Sequence, residues 1–328
     1  MKTYEFQGRV LALSSITHNG GQSFGINQKL RREKFVQPDS TVEEVPVISG
    51  NSLRGHLRDV GMLHMCRMLG YGEPDAQGRP TGLQEPAFYF LFSGGSLVGN
   101  SRKAVNIEEA RKIISVIPLV AIFGGANGNQ TLPSKLKMGK MIPICQETAH
   151  VIPEAFLPPD RKLPSVWDYC QEEMYTRKDD EKNEKLRQVL SPEARLLIDG
   201  QKAEKQRQKE AGIPVETGQS QQMMYYIETL AAGTPFYLRI ILDDVTDVEF
   251  EAFLTTLVEF SRKPFVGGKS GIGLGYVSLT FDRWFEIDSR LSPKGEAISR
   301  PAGQAYASHL KERGPEIRDL LSRIKFAG

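Results

Sequence analysis

Apolar and polar residues alternate from Tyr4 to Ala12, with Tyr4, Phe6, Val10 and Ala12 on one side and Glu5, Gln7 and Arg9 on the other. This two-residue period predicts a half-buried first strand. The period lengthens between Asn51 and Leu69, where Leu53, Leu57, Val60 and Met68 form the apolar stripe of a helix and Ser49 or Asn51 can serve as N-cap. The run Ala87 to Phe92 reads as a second strand, and Tyr225 to Leu242 as a third, broken by a turn at Gly233 and Pro235. A second helix follows over Val248 to Phe260, with Phe250, Leu254, Leu257 and Val258 at helical spacing and Asp243, Asp244 and Asp247 as candidate caps. Residues 276–281 supply the last strand.

The order β-α-β, long insertion, β-α-β matches the split βαβ arrangement of ferredoxin-like α+β domains, whose open sheet often receives single-stranded RNA. The insertion, residues 93–224, is too long for a plain loop and must carry structure or function of its own. Its stretch 168–212 is dense in Lys, Glu, Gln and Arg, a pattern that predicts exposed helices with mixed-sign faces. No internal repeat at a solenoid period is present, so any repetition must come from association of copies.

Composition narrows the classes without choosing among them. The 328 residues include 42 basic and 40 acidic side chains, a net charge of +2, so any basic surface must be local. The opening residues 1–10 lack the apolar core of a signal peptide, and no stretch approaches the ~18 apolar residues of a membrane span, which predicts a cytoplasmic chain with no membrane partner. Cys66, Cys145 and Cys170 are isolated and odd in number, as expected of reduced thiols. His64 and Cys66 have no second ligand pair at zinc-finger spacing, and neither a metal nor another cofactor is expected.

The densest chemistry lies between Val266 and Val277, where five glycines surround Lys269 and Ser270. Such a loop can bring backbone N–H groups and a lysine against a phosphate, or can simply be a tight turn that packs. A nucleotide-binding P-loop would need glycine at position 263, which is Lys263, and would run from strand into helix instead of helix into strand. A small-molecule P-loop enzyme is therefore a distant third reading.

The segment Ile48 to Arg58 opens a helix whose free N–H groups stand beside Asn51, Ser52 and Arg54, a natural anion site. Arg54 and Arg58, four apart, share a helical face, which suits either phosphate contact or an ordinary solvated surface. Residues 14–35 combine His18, Asn19 and the basic cluster Lys29, Arg31, Arg32 and Lys34, either an RNA-contacting loop or a solvated one. His18 is a candidate general base or a structural histidine. Residues 123–141 set Lys135, Lys137 and Lys140 after a glycine-rich turn, with Lys135 and Lys137 on one face if extended. A basic edge strand guarded against aggregation would look the same.

In chain order, the segments Ile48 to Arg58, Phe123 to Lys140, the strand and turn at 226–242 and the loop Gly267 to Gly275 resemble the RAMP superfamily of CRISPR-associated proteins. The match is to its backbone subunits, which polymerise along a guide RNA, and is greatest to the type IV version. The resemblance implies an RRM-like palm (about 1–14, 48–92 and 225–290), fingers (about 15–47 and 93–160), a charged helical insertion and thumb (about 161–224) and a C-terminal extension (291–328). It implies guide contacts from His18, Asn19, Lys29, Arg31, Arg32, Asn51, Ser52, Arg54, Arg58, Lys135, Lys137, Gly267, Gly268, Lys269, Ser270 and Gly271. Gln219, Gln222 and Met223 are candidate thumb residues.

The partners implied are guide RNA, a complementary target nucleic acid, copies of the chain packed head to tail, other effector subunits and a helicase in the wider system. RNA-cutting type III relatives carry an aspartate after the first strand in a Gly-Gly-Ile-Asp context, whereas the similar run here is Phe24-Gly25-Ile26-Asn27. An amide cannot act as that carboxylate, so the resemblance implies a subunit that does not cut its target. The alternative is an endoribonuclease of the same superfamily that processes guide precursor through His18 or His56.

Overall fold

The first strand, β1 (Lys2–Ala12), sits inside a five-stranded antiparallel sheet, and the alternation read from its sequence puts Tyr4, Phe6, Val10 and Ala12 into the core. The computed structural model describes residues 1–20, 27–74, 77–78, 81–95, 107–127, 130–177, 191–210, 223–287 and 304–324. On the opposite face of β1, Glu5 is also buried, because Arg239 covers it with two hydrogen bonds of 2.6 and 2.9 Å.

After β1 the chain makes β2 (Asn27–Gln28) and the hairpin β3 (Arg32–Val36) and β4 (Val42–Pro46) before entering α1 (Gly50–Met68). Ser49 is the N-cap of α1, its hydroxyl accepting from the Ser52 N–H. Leu53 and Leu57 are buried and Val60 is half-buried, but Met68 is exposed; the buried face runs instead through Gly61, Met62, Met65 and Cys66. Gly61 is there for close approach, since a Cβ on it would lie 2.6 Å from the Thr256 hydroxyl.

The expected strand over Ala87 to Phe92 is a helix, α2 (Glu85–Phe92). Pro86 in its first turn favours helical φ, and Ala87, Phe90 and Leu91 are buried at i, i+3 and i+4 while Phe88 and Tyr89 face out. Next come α3 (Ile107–Val116), the fully buried α4 (Pro118–Phe123), the hairpin β5 (Gly125–Asn127) and β6 (Gln130–Leu132), then β7 (Leu136–Met138) and β8 (Ile142–Pro143). The second strand of the main sheet is thus β7, which pairs with a later strand at Ile240 to Leu242.

Residues 168–212 are only partly helical. The short α5 (Val166–Tyr169) leads into β9 (Cys170–Arg177), and a long helix, α6 (Pro192–Glu210), follows. Polar composition yields to pairing here, because β9 is zipped along its whole length to β10 (Met223–Leu230), which also takes β2 as a parallel neighbour. The turn at Gly233 separates β10 from β11 (Pro235–Val245), and the two belong to different sheets.

The second crossover helix, α7 (Asp247–Ser261), is capped by Thr246 and not by an aspartate, since Thr246 and Glu249 form a reciprocal capping box. Phe250, Phe253 and Leu254 are buried; Val258, at the far end of the stripe, is exposed. The chain then forms β12 (Val277–Ile287) and α8 (Gln304–Arg323). The main sheet runs β12-β1-β11-β7, with β8 also on β11, and packs its apolar face against α1 and α7. Phe6 is central to this packing, with the rings of Phe253, Phe281 and Trp284 all 5.5–5.6 Å from its own. Among the described residues no helix is long and apolar enough to cross a membrane. His64 pairs with Glu259 at 3.3 Å, and Cys66, Cys145 and Cys170 are free thiols whose pKa burial pushes up to about 11, 12 and 11.

Candidate nucleic-acid interface

Three segments remote in sequence meet at the first turns of α1. The backbone leaves β1 and reaches Thr17, whose carbonyl accepts from the Gly268 N–H at 2.9 Å. Next to it, His18 Nε2 lies 3.1 Å from the hydroxyl of Ser49, the N-cap of α1. One turn into the helix, His56 Nε2 donates to the Gly267 carbonyl at 3.2 Å. Gly267 has φ 73°, and a Cβ on it would stand 2.2 Å from the Thr17 carbonyl oxygen, so both its conformation and the contact require glycine. Burial lowers the pKa of His18, and the charges of Arg31 and His56 lower it further, which favours its neutral form.

The glycine loop leaves α7 and enters β12, the opposite direction to a P-loop. At its centre Lys269 adopts left-handed backbone, φ 61°, which is uncommon for a lysine. The ammonium sits 5.0 Å from the ring centroid of Tyr225 on β10, and Tyr225 stacks on Tyr175 of β9 at 5.7 Å and 16°. Gly268, Ser270 and Gly271 are exposed beside it, as is Asn51, while Ser52 is half-buried. Backbone N–H groups, a lysine and an aromatic face therefore share one surface, the combination that binds a nucleic-acid backbone and an adjoining base.

Arg54 and Arg58 do share a helical face, but it turns inward. Arg58 Nη2 donates to the carbonyls of Phe123 and Gly124 at 2.7 and 2.8 Å, and Arg54 also donates to Phe123. The reason is α4, which ends at Phe123 with carbonyls that have no intrahelical partner. Nη2 of Arg58 donates to both, and the guanidinium carbon lies 5.7 Å from the Phe123 ring centroid. Arg58 is only 7% exposed, and burial lowers its pKa to about 10, which still leaves it charged at neutral pH. A surface phosphate contact is therefore the wrong role for Arg58. Both arginines line a cleft of about 660 Å³ that Asn51, Gly94, Gly125 and Ser134 help to form.

The remaining basic candidates are mostly matched within the fold. Lys135 meets both Glu249 oxygens at 2.9 and 2.8 Å, Lys137 pairs with Asp243, and Lys140 with Glu33. Lys137 lies on β7, an edge strand of the main sheet, and Lys135 and Lys140 flank it. Arg32 pairs with the buried Glu228 and lies 5.2 Å from the Trp167 ring centroid, so it anchors the loop to β10 instead of facing solvent. Arg31 is exposed and Lys29 half-buried, with looser pairs of Lys29 to Glu172 at 3.6 Å and Arg31 to Glu33 at 3.8 Å. Asn19 is exposed and forms an isolated bridge with Leu30. Asn27 is exposed in β2, opposite Tyr226, whereas Phe24, Gly25 and Ile26 lie outside the described residues. Gln219 and Gln222 also lie outside them, and Met223 begins β10.

Sequence reading missed Tyr175, Tyr225 and Glu228. Their strands alternate only weakly, and the signal that joins Tyr175 to Tyr225 is a cross-strand register visible only once β9 and β10 are paired.

The family model described as the RAMP superfamily matches residues 11–278, well over half of the chain. No curated protein matches it. Among solved structures, a chain of a "Type IV-B CRISPR Complex" superimposes with a TM-score of 0.53 and 22% identity, over 91% of this chain and 95% of that one, a likeness of fold.

Proposed function

Because the chain belongs to the RAMP superfamily, we propose that it is a guide-RNA-binding backbone subunit of a type IV CRISPR ribonucleoprotein, which oligomerises along the guide and presents it for target pairing without cutting the target. The observation that carries this reading is the convergence of Thr17 and His18, the N-terminal turn of α1, and the Gly267–Lys269 loop on one surface. Lys269 and Ser270 offer donors to the RNA backbone, Gly268 lets it approach closely, Asn51 and Arg54 extend the surface into the cleft, and Lys29 and Arg31 add positive charge nearby. Arg58 acts behind this surface by holding the end of α4. Guide–target base pairing, not the protein, reads sequence.

The strand order β12-β1-β11-β7, with helices α1 and α7 crossing behind, supports a ferredoxin-like, RRM-like palm. In this reading the β9–β10 sheet is the base of the thumb, residues 15–47 and 93–160 supply the fingers, and α8 belongs to the C-terminal extension. The likeness to a chain of a type IV-B complex supports the type and a setting among other effector subunits. A helicase is a candidate member of the wider system, and the cytoplasm its place of action.

The test is co-expression with a guide RNA followed by sizing and electron microscopy. Assemblies whose length scales with the guide are expected; a monomer free of RNA at low salt would overturn the reading. The endoribonuclease alternative draws on the nearness of His18 to His56, with His18 held neutral and ready to accept a proton. It requires the chain alone to cut guide precursor, and cleavage abolished by His18→Ala would establish it.

A further inference from the structure

The apolar stripe of α7 does not end where the core ends. Leu257 and Val258 continue it onto the surface, where they join β12 in an open groove of about 390 Å³. Leu13, Pro264, Tyr276 and Phe281 complete the lining, and Leu13, Val258 and Tyr276 are 46%, 49% and 42% exposed. β12 is the outermost strand of the main sheet, so among the described residues one of its edges has no strand beside it. Arg262 and Lys263, both exposed, follow Ser261 at the rim of the groove; Arg262 also pairs with Glu259 at 3.3 Å, while Lys263 adds the further positive charge.

Elsewhere on the chain, the β3–β4 hairpin has the complementary form. Phe35 and Val45 face inward against Cys145, Val166 and Tyr169. The opposite face carries Val36 directly across from Val42, 65% and 52% exposed, with Asp39 at the tip and Glu44 alongside. On this outward face Glu44 lies directly across from Lys34, and Glu43 pairs with Phe35 on the inward one, so the excess negative charge of the knob is that of Asp39 at its tip.

We propose that the Val36–Val42 face of one copy seats in the α7–β12 groove of the next, with Asp39 and Glu44 against Arg262 and Lys263. Two β-branched side chains held opposite each other on a rigid hairpin form a preorganised apolar knob of a size the groove can take. The charges at knob and rim are opposite in sign, which fixes the register of docking. Since knob and groove are different patches of the same molecule, the contact is heterologous and propagates into an open row instead of closing as a dimer. The proposal rests on the backbone-subunit reading and names the surfaces through which copies would meet.

The test uses the full chain assembled on guide RNA, with Val42→Cys and Ser278→Cys combined and a short bis-maleimide as cross-linker. The native thiols are two buried and one half-buried, and each single variant gives the background. A ladder of covalent multimers above that background is expected. A charge exchange checks the same contact: Lys263→Glu should raise the protein concentration needed for assembly about tenfold, and adding Glu44→Lys should restore it, as for a rim charge pair worth about one decade. If multi-copy RNA assemblies form but neither ladder nor rescue appears, the hairpin does not occupy the groove and the backbone reading survives. If no assembly forms on RNA, both fall.

Discussion

His56 on α1 donates to the carbonyl of Gly267, 211 residues later, and this bond ties the glycine loop to the helix that opens beneath it. The loop is therefore held in place before any ligand arrives, which lowers the cost of ordering it on binding. His56→Ala should cost about 1 kcal/mol in stability and weaken RNA binding by loosening Lys269. Gly267→Ala should cost about 2 kcal/mol or more, because alanine resists φ 73° and its Cβ would meet the Thr17 carbonyl. Thermal melts and RNA titrations on both variants check the order; equal, negligible effects would separate the loop from the site.

Arg54 and Arg58 should fail in different ways, although they are four residues apart on one helix. Arg58→Ala leaves the Gly124 carbonyl without its donor and the Phe123 carbonyl with Arg54 alone, and should cost about 2–4 kcal/mol, visible as a lower Tm or loss of soluble protein. Arg58→Lys should rescue it only in part, since an ammonium keeps donors for the carbonyls but not the planar guanidinium beside the Phe123 ring. Arg54→Ala should leave a folded chain whose RNA affinity falls equally for all sequences, with a salt dependence shallower by about one counterion. Titrations at two salt concentrations distinguish these outcomes.

How far these features were legible in the sequence depends on how local their causes are. Ser49, Leu53 and Leu57 announce α1 because cap and stripe lie within a few residues of one another. Ala87 to Phe92 offered six apolar residues with no period, and only Pro86 hinted at the helix. The spacing of Arg54 and Arg58 gave the right face but not its burial, since the carbonyls they hold lie 65–69 residues further on. Arg32 looked like part of a basic loop for the same reason: Glu228 is 196 residues away. The glycine loop was legible as a candidate site because glycine density is itself a local signal, whereas its aromatic neighbour Tyr225 was not.

His18 predicts a pH dependence. Its folded-state pKa lies below the ordinary 6.5, through burial first and then the charges of Arg31 and His56. Between the folded and unfolded values the unfolded chain binds more protons, so stability rises with pH there. The contribution is fully present above about pH 6.5 and is lost as pH falls toward the folded value. Denaturant melts across this window should show a slope that His18→Gln removes; an unchanged slope would exclude His18 as its source.

The last expectation concerns the target strand. The resemblance sets Asn27 where cutting relatives place a carboxylate, and in the fold it is exposed on β2, beside Tyr226 of the sheet that carries Tyr225. It is thus close to the proposed RNA path but offers an amide, which can hydrogen-bond to a phosphate or ribose yet cannot hold a metal or take a proton as a carboxylate does. Wild-type assemblies incubated with a labelled complementary RNA and divalent metal should leave it intact. Asn27→Asp supplies the missing charge at a position already open to solvent, so it should fold normally, and any cleavage it gains should recur at the spacing of successive copies. Regular cuts by the wild type that vanish in Asn27→Ala would mean that the amide position is catalytic after all and that the non-cutting assignment is wrong.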